Sequence, residues 1–256
     1  MGHTSDRSGP DRSGPEPSVK GGRQRIDVTR DVRFSPGFFE RDDPSPDATF
    51  YSWPRFVTHI DDQAIAAVGD LYDELGITGE VLDVMSSWIS HFRQAPRRLT
   101  VLGMSQAELE ANPMADDLVV HDLNHEPRLP FEPSSFDAAL CCVSVDYLTC
   151  PVEVFADIAR ILRPGAPFVC TFSNRCFPTK AIRGWLHSGD EAHCAIVASY
   201  FRLAGGWDEP VAERRTPLRH GGDPLFAVWA RRSEDPSSPS GSRTGGEEAT
   251  REESPA

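Results

Sequence analysis

The sequence predicts an α/β protein, an open and mostly parallel sheet with helices on both faces. Three observations lead there. Short apolar runs of strand length alternate with stretches of helical period through the middle of the chain, as repeated β-then-α steps require. One run, FDAALCCVSVDYL, is apolar on both faces, as expected of a central parallel strand covered by helices. The last two runs, in WDEPVAERR and DPLFAVWARR, are separated only by a polar loop and read as adjacent strands.

Taken in order, Asp61 or Asp62 caps a helix with Ile65, Val68, Leu71, Tyr72 and Leu75 on one face, and Gly76 stops it. EVLDVM is the first short apolar run and ends beside an acid. LTVLGM is the second, followed by SQAELEANP, where Ser105 and Glu108 have the spacing of a capping box. DDLVVHDL and FDAALCCVSVDYL are the third and fourth. PVEVFADIARILRPG places Pro151 at the first helical position and Val154, Phe155, Ile158, Ile161 and Leu162 on one face. APFVCTFS is the fifth strand, and residues 179–204 read as helix in two pieces broken near Ser188–Gly189. Sheets of this kind bind ligands at the carboxyl ends of their strands, so the residues just after each run are the ones to weigh.

Composition bounds the class. The 256 residues are 25% charged and 39% hydrophobic, with a formal net charge of −13, which suits a soluble globular chain and disfavours a nucleic-acid partner. Residues 1–25, with DRSGP twice, and residues 233–256, rich in Ser, Pro, Gly and Glu, hold too little apolar surface to offset ordering entropy and are expected to be disordered tails, the second acidic. Between them, 26–232 is one domain, with 26–60 as a leading lid segment. No run approaches the roughly 20 apolar residues of a membrane span, and MGHTSDRSGP lacks the apolar core of a signal peptide, so a cytoplasmic location without a membrane partner is expected. The six cysteines form no C-x-x-C pair and read as reduced thiols, with Cys141 and Cys142 packed inside the fourth strand. His121 and His125 bracket a strand end, and no metal site is expected.

LPFEPSSFDAAL (129–140), followed after one helix by ADIARILRPGAPFV (156–169) and preceded by VLDV, resembles the class I S-adenosylmethionine-dependent methyltransferases, particularly those acting on small molecules. The resemblance spans roughly 80–232. It implies a Rossmann-like, seven-stranded sheet with the last strand antiparallel, and S-adenosylmethionine lying across the ends of the first four strands. Asp83 stands where the family's first-strand acid lies near the methionine part of the cofactor. Asp122, with Leu123 beside it, stands where an acid accepts from the adenine amino group. A cofactor bearing a sulfonium and an ammonium favours nearby carboxylates, and an adenine amine needs an acceptor.

The chain also departs from the family pattern. DVMSSWISH has no glycine where the family has a Gly-rich loop, so a loop of another shape is expected, with Ser86 and Ser87 supplying hydroxyls and Trp88 covering the pocket. The second-strand acid that grips the ribose is missing, and Ser105 stands there instead. Capping, turn formation and core packing are the alternative roles for these residues. Tyr51, Arg55, Phe56 and His59 of FYSWPRFVTHIDD would line the pocket if that segment is a lid, while Asn174, Arg175 and Cys176 follow the fifth strand, where acceptor-facing groups lie. His59 and His91 are candidate bases if one is needed, with no firm catalytic residue visible.

The resulting expectation is a methyltransferase acting on a small-molecule acceptor. Its rival is an inactive relative that kept the fold and serves as a binding or regulatory module. A nicotinamide oxidoreductase is disfavoured because no G-x-G-x-x-G follows the first strand. Neither the acceptor nor the oligomeric state is legible.

Overall fold

The computed structural model describes residues 23–217 and 222–234. The strands are β1 (Gln24–Arg25), β2 (Glu80–Val84), β3 (Arg98–Gly103), β4 (Asp117–Val120), β5 (Ala138–Cys142), β6 (Pro167–Phe172), β7 (Val211–Arg214) and β8 (Phe226–Arg231). The helices are α1 (Asp47–Phe50), α2 (Asp62–Leu75), α3 (Gln106–Glu110), α4 (Pro151–Ile161), α5 (Arg183–Leu186) and α6 (Asp190–Ala204). They build one sheet in the order β1-β7-β8-β6-β5-β2-β3-β4. Strands β4, β3, β2, β5 and β6 run parallel, and β8 lies antiparallel between β6 and β7.

The sheet has eight strands where seven were expected, and the extra one is β1. Gln24 and Arg25, assigned from composition to the leading tail, pair antiparallel with Arg214 and Glu213. Charge holds them where apolar content could not. Arg23 donates to the buried Glu213 at 2.7 and 2.8 Å, and Arg215 donates to the same carboxylate at 2.9 Å. The remainder of both expected tails, apart from Arg23 and residues 233–234, lies outside the described residues.

Side-chain alternation along the strands splits the core between the two faces of the sheet. Leu82, Ala139, Cys141, Phe168, Cys170 and Phe172 face the layer of α4 and α6, where Phe155, Tyr200 and Phe201 are fully buried. Val81, Val101, Ala138, Leu140 and Val169 face the other way, onto Val68, Leu71 and Tyr72 of α2. Asp61 caps α2 by accepting from the Ala64 amide at 2.8 Å, and Gly76 closes it at φ 68. The capping box expected at α3 does not form. The Ser105 side chain makes no cap hydrogen bond, and Glu108 is engaged elsewhere.

Candidate active site

Because β2, β3, β4 and β5 are parallel and in register, their carboxyl ends and the loops that follow converge on one cavity of about 310 Å³. Asp83, paired with Val101 and Leu140 on either side, is buried at the tip of β2. Its Oδ2 accepts from Ser86 Oγ at 2.7 Å and Ser90 Oγ at 2.8 Å. Burial pushes the carboxyl up to about 6, against the downward pull of the two hydroxyls. Among the described residues, no hydrogen bond reaches Oδ1.

The loop after β2 makes its turn without glycine. Met85 takes the left-handed conformation itself, at φ 54, and the Ser86 amide donates to the Leu102 carbonyl at 2.8 Å. The close approach that would demand glycine has moved to the neighbouring strand. A Cβ on Gly103 would stand 2.5 Å from the Ser86 carbonyl oxygen. Glycine is thus required at the end of β3, and the glycine of LTVLGM is the sequence signal for it. Val143, after β5, also takes a left-handed conformation, at φ 47, where a β-branched side chain stores about 1–3 kcal/mol. The Val143 amide donates to the Thr171 carbonyl at 2.7 Å, and Ser144 Oγ donates to the Cys142 carbonyl at 2.9 Å, with the Met85 carbonyl 3.3 Å away.

After β3, Ser105 lines the cavity, and Glu108 accepts from Ser87 Oγ at 2.7 Å and from the Arg55 amide at 2.8 Å. This one carboxylate therefore ties the β2 loop to the leading segment. After β4, Asp122 accepts from the Asn124 amide at 3.0 Å and the His125 amide at 3.3 Å, both through Oδ1. It does shape its own loop, yet among the described residues Oδ2 has no partner. Leu123 completes this edge of the lining.

The far end of the cavity is built by the leading segment and the loop after β6. Tyr51, Arg55 and His59 line it together with Arg175, Cys176 and Phe177. The leading segment divides in two: Phe34, Phe38 and Phe39 cluster on Tyr200 at the α6 side, while 41–59 reaches the cavity. A buried ion network lies behind it. Arg41 pairs with Asp47 at 2.8 Å, Asn124 donates to Asp47 at 2.9 Å, and the buried Lys180 ammonium lies 3.3 Å from Asp47 and 3.1 Å from Asp43. Nothing in the sequence signals it, since Lys180 and its acceptor Ser45 are 135 residues apart.

Four expected placements change. Trp88 is absent from the lining; its indole donates to the Val57 carbonyl at 3.1 Å and meets Phe56 edge-on, because both rings find apolar contact on the outside of the segment. Phe56 is likewise exposed rather than lining. Asn174 is exposed and outside the lining, where its side chain takes the Ser173 hydroxyl at 3.4 Å, while the adjacent Arg175 does reach the cavity. Cys142 is only half-buried and lines the cavity, whereas Cys141 is packed on the opposite face. His59 and His91 both line the cavity. Burial lowers both imidazoles, His91 to about 4, so both are neutral near pH 7.

Residues 79–170 match a family model described as a methyltransferase domain. The matched stretch runs from just before β2 into β6 and includes the strand tips that line the cavity. Solved methyltransferase structures share the fold. One is a chain of the complex between the Haloferax volcanii Trm112 methyltransferase activator and the putative methyltransferase, at 16% identity and a TM-score of 0.50, covering 68% of this chain and 91% of that one. Another is the Burkholderia thailandensis 1,6-didemethyltoxoflavin-N1-methyltransferase, solved with 1,6-didemethyltoxoflavin and S-adenosylhomocysteine, at 18% identity and 0.51, covering 68% and 80%. No curated protein matches the chain. No helix among the described residues is long and apolar enough to cross a membrane.

Proposed function

We propose that this chain binds S-adenosylmethionine over the tips of β2, β3, β4 and β5 and methylates a small molecule held at the far end of the same cavity. One observation carries the reading: two carboxylates, Asp83 and Asp122, stand at strand tips on one cavity, each with an oxygen that no described residue occupies. Gly103 fits the same picture, since it lets the loop after β2 lie flat against β3 and leaves the cavity open. Asp83 would hold the amino-acid end of the cofactor, Asp122 the adenine amine, and Ser87, Ser105 and Glu108 the ribose edge between them. A bound cofactor supplies a methyl group on a positively charged sulfur, an electrophile that needs no further activation.

The chain's own contribution is then mostly positional. Glu108 fixes the leading segment over the site through the Arg55 amide, which excludes water and sets the distance between the two ends. The neutral His59 and His91 can take a proton, but at about 4 His91 is a weak base. Tyr51 and Tyr147 are pushed upward by burial and keep their phenolic protons. The arrangement therefore favours an acceptor that arrives with its lone pair available. The small-molecule acceptor of the Burkholderia thailandensis fold neighbour is consistent with this class.

Melting the protein with S-adenosylhomocysteine tests the reading. At about 100 times its dissociation constant, the ligand should add about 2.7 kcal/mol of stability. Asp122→Asn keeps an oxygen for its loop but turns an amide toward the adenine amine, and should weaken binding roughly tenfold. No shift at millimolar ligand would instead favour a binding module that has lost the cofactor.

A further inference from the structure

Four cations line the cavity, and three of them are neutralised by carboxylates. Arg41 meets Asp47, Lys180 meets Asp43 and Asp47, and Arg175 meets Asp223 at 2.8 Å. Arg55 is the exception. Its Nη1 donates to the Phe50 and Trp53 carbonyls at 2.9 and 3.2 Å, and among the described residues no carboxylate pairs with its guanidinium. Glu108 binds its main-chain amide instead. The group is fixed by rings as well, 4.1 Å over Phe50, 5.6 Å from Phe177 and 5.9 Å from Tyr51. The N–H groups on Nε and Nη2 remain without described acceptors.

Two tyrosines line the same end of the cavity. Tyr147 accepts from the Phe177 amide at 2.8 Å, and Tyr51 has no hydrogen-bond partner among the described residues. Phe177 supplies a flat apolar wall, braced by His59 and Phe50 at 5.4 Å and by Tyr147 at 6.1 Å. A cationic amine is disfavoured here, because Arg55 already covers the face of Phe50 and would repel it. Of the nearby acids, Glu108 is occupied by the Ser87 hydroxyl and the Arg55 amide. Asp47 is compensated by two cations, and burial without a partner for Oδ2 pushes Asp146 up to about 8, which keeps it neutral near pH 7.

We infer that the acceptor is a planar aromatic anion, its charge received by Arg55 with the Tyr51 and Tyr147 hydroxyls and its ring lying against Phe177. This rests on the methyltransferase reading above and names the substrate class of that same site. Such a molecule supplies the electron pair that the weakly basic surroundings do not generate.

The test is calorimetric, on the full chain. S-adenosylhomocysteine is titrated first, then benzoate, benzamide and cyclohexanecarboxylate into the saturated protein. Benzoate should bind more tightly than the neutral amide and the non-aromatic acid by roughly tenfold or more, the worth of a charge-assisted pair or a ring contact. In Arg55→Gln the preference for benzoate over benzamide should fall to within roughly twofold, with S-adenosylhomocysteine affinity as the control for an intact fold. Equal binding of benzoate and benzamide, an unaltered preference in Arg55→Gln, or no benzoate binding to the saturated protein would each overturn the inference. Failure of the first titration would overturn the methyltransferase reading and this inference with it, and is told apart because it precedes the others.

Discussion

At the strand-tip end of the cavity the lining is main chain and short side chains, set by sheet register: Met85, Ser86, Gly103, Val143 and Ser144. At the other end it is long side chains, among them Arg41, Asp47, Arg55 and Lys180, gathered from opposite ends of the domain's sequence. The first end is over-determined by β pairing and can therefore hold Met85 and Val143 in left-handed conformations that an isolated loop would relax. The second depends on charges withdrawn from water, whose desolvation is offset only while every partner is present. One end should resist added atoms, the other should resist lost charge.

Lys180→Met gives the largest expected effect. Removing a buried ammonium leaves Asp47 with Arg41 as its one cation, and should cost about 3–5 kcal/mol in denaturant unfolding. The folded fraction should still bind S-adenosylhomocysteine, since no strand-tip group touches Lys180. A loss of cofactor binding in step with stability would mean that the two ends are one unit. Gly103→Ala comes next. A methyl group 2.5 Å from the Ser86 carbonyl must push the β2 loop away, costing about 1–3 kcal/mol and weakening cofactor affinity as well. Preserved affinity there would show that the loop is more compliant than its hydrogen bonds suggest.

The smallest effect is electrostatic and depends on pH. Asp83, pushed up to about 6 from the ordinary value near 4, holds in the native state a proton that the unfolded chain has already released. Its contribution to stability therefore diminishes as pH rises from about 4 through about 6, and is constant above. A cationic ligand favours the ionised carboxylate, so affinity for S-adenosylmethionine should rise over the same window. Calorimetry between about pH 5 and pH 8 should show that rise in the wild type and lose it in Asp83→Asn. A pH-independent affinity would remove Asp83 from the cofactor end.

What the sequence disclosed follows the same division. Alternation, caps and periodicity are local, so the strands, α2, α4 and the break before α6 were legible, down to Asp61 and Gly76. Asp83 and Asp122 were visible because strand tips are predictable once strands are. Glu108 was misread as a local cap because its true partners, Ser87 and the Arg55 amide, lie 21 and 53 residues away. The same distance hides Lys180 and Asp47, whose pairing has no period to betray it. The short β1 escaped for another reason: Arg23 and Glu213 substitute charge for the apolar content by which strands are recognised.

The seating of Lys180 also bears on biosynthesis. Its ammonium donates to the Ser45 carbonyl at 2.8 Å, so Asp43 and Asp47 leave the ribosome long before the residue that anchors them. At about 5–20 residues per second, that interval is on the order of ten seconds. Trp53, Phe56 and Val57 are secured sooner, because Trp88 and Glu108 take the Val57 carbonyl and the Arg55 amide only 31 and 53 residues downstream, so the stretch around Asp43 and Asp47 is the last of the leading segment to be anchored.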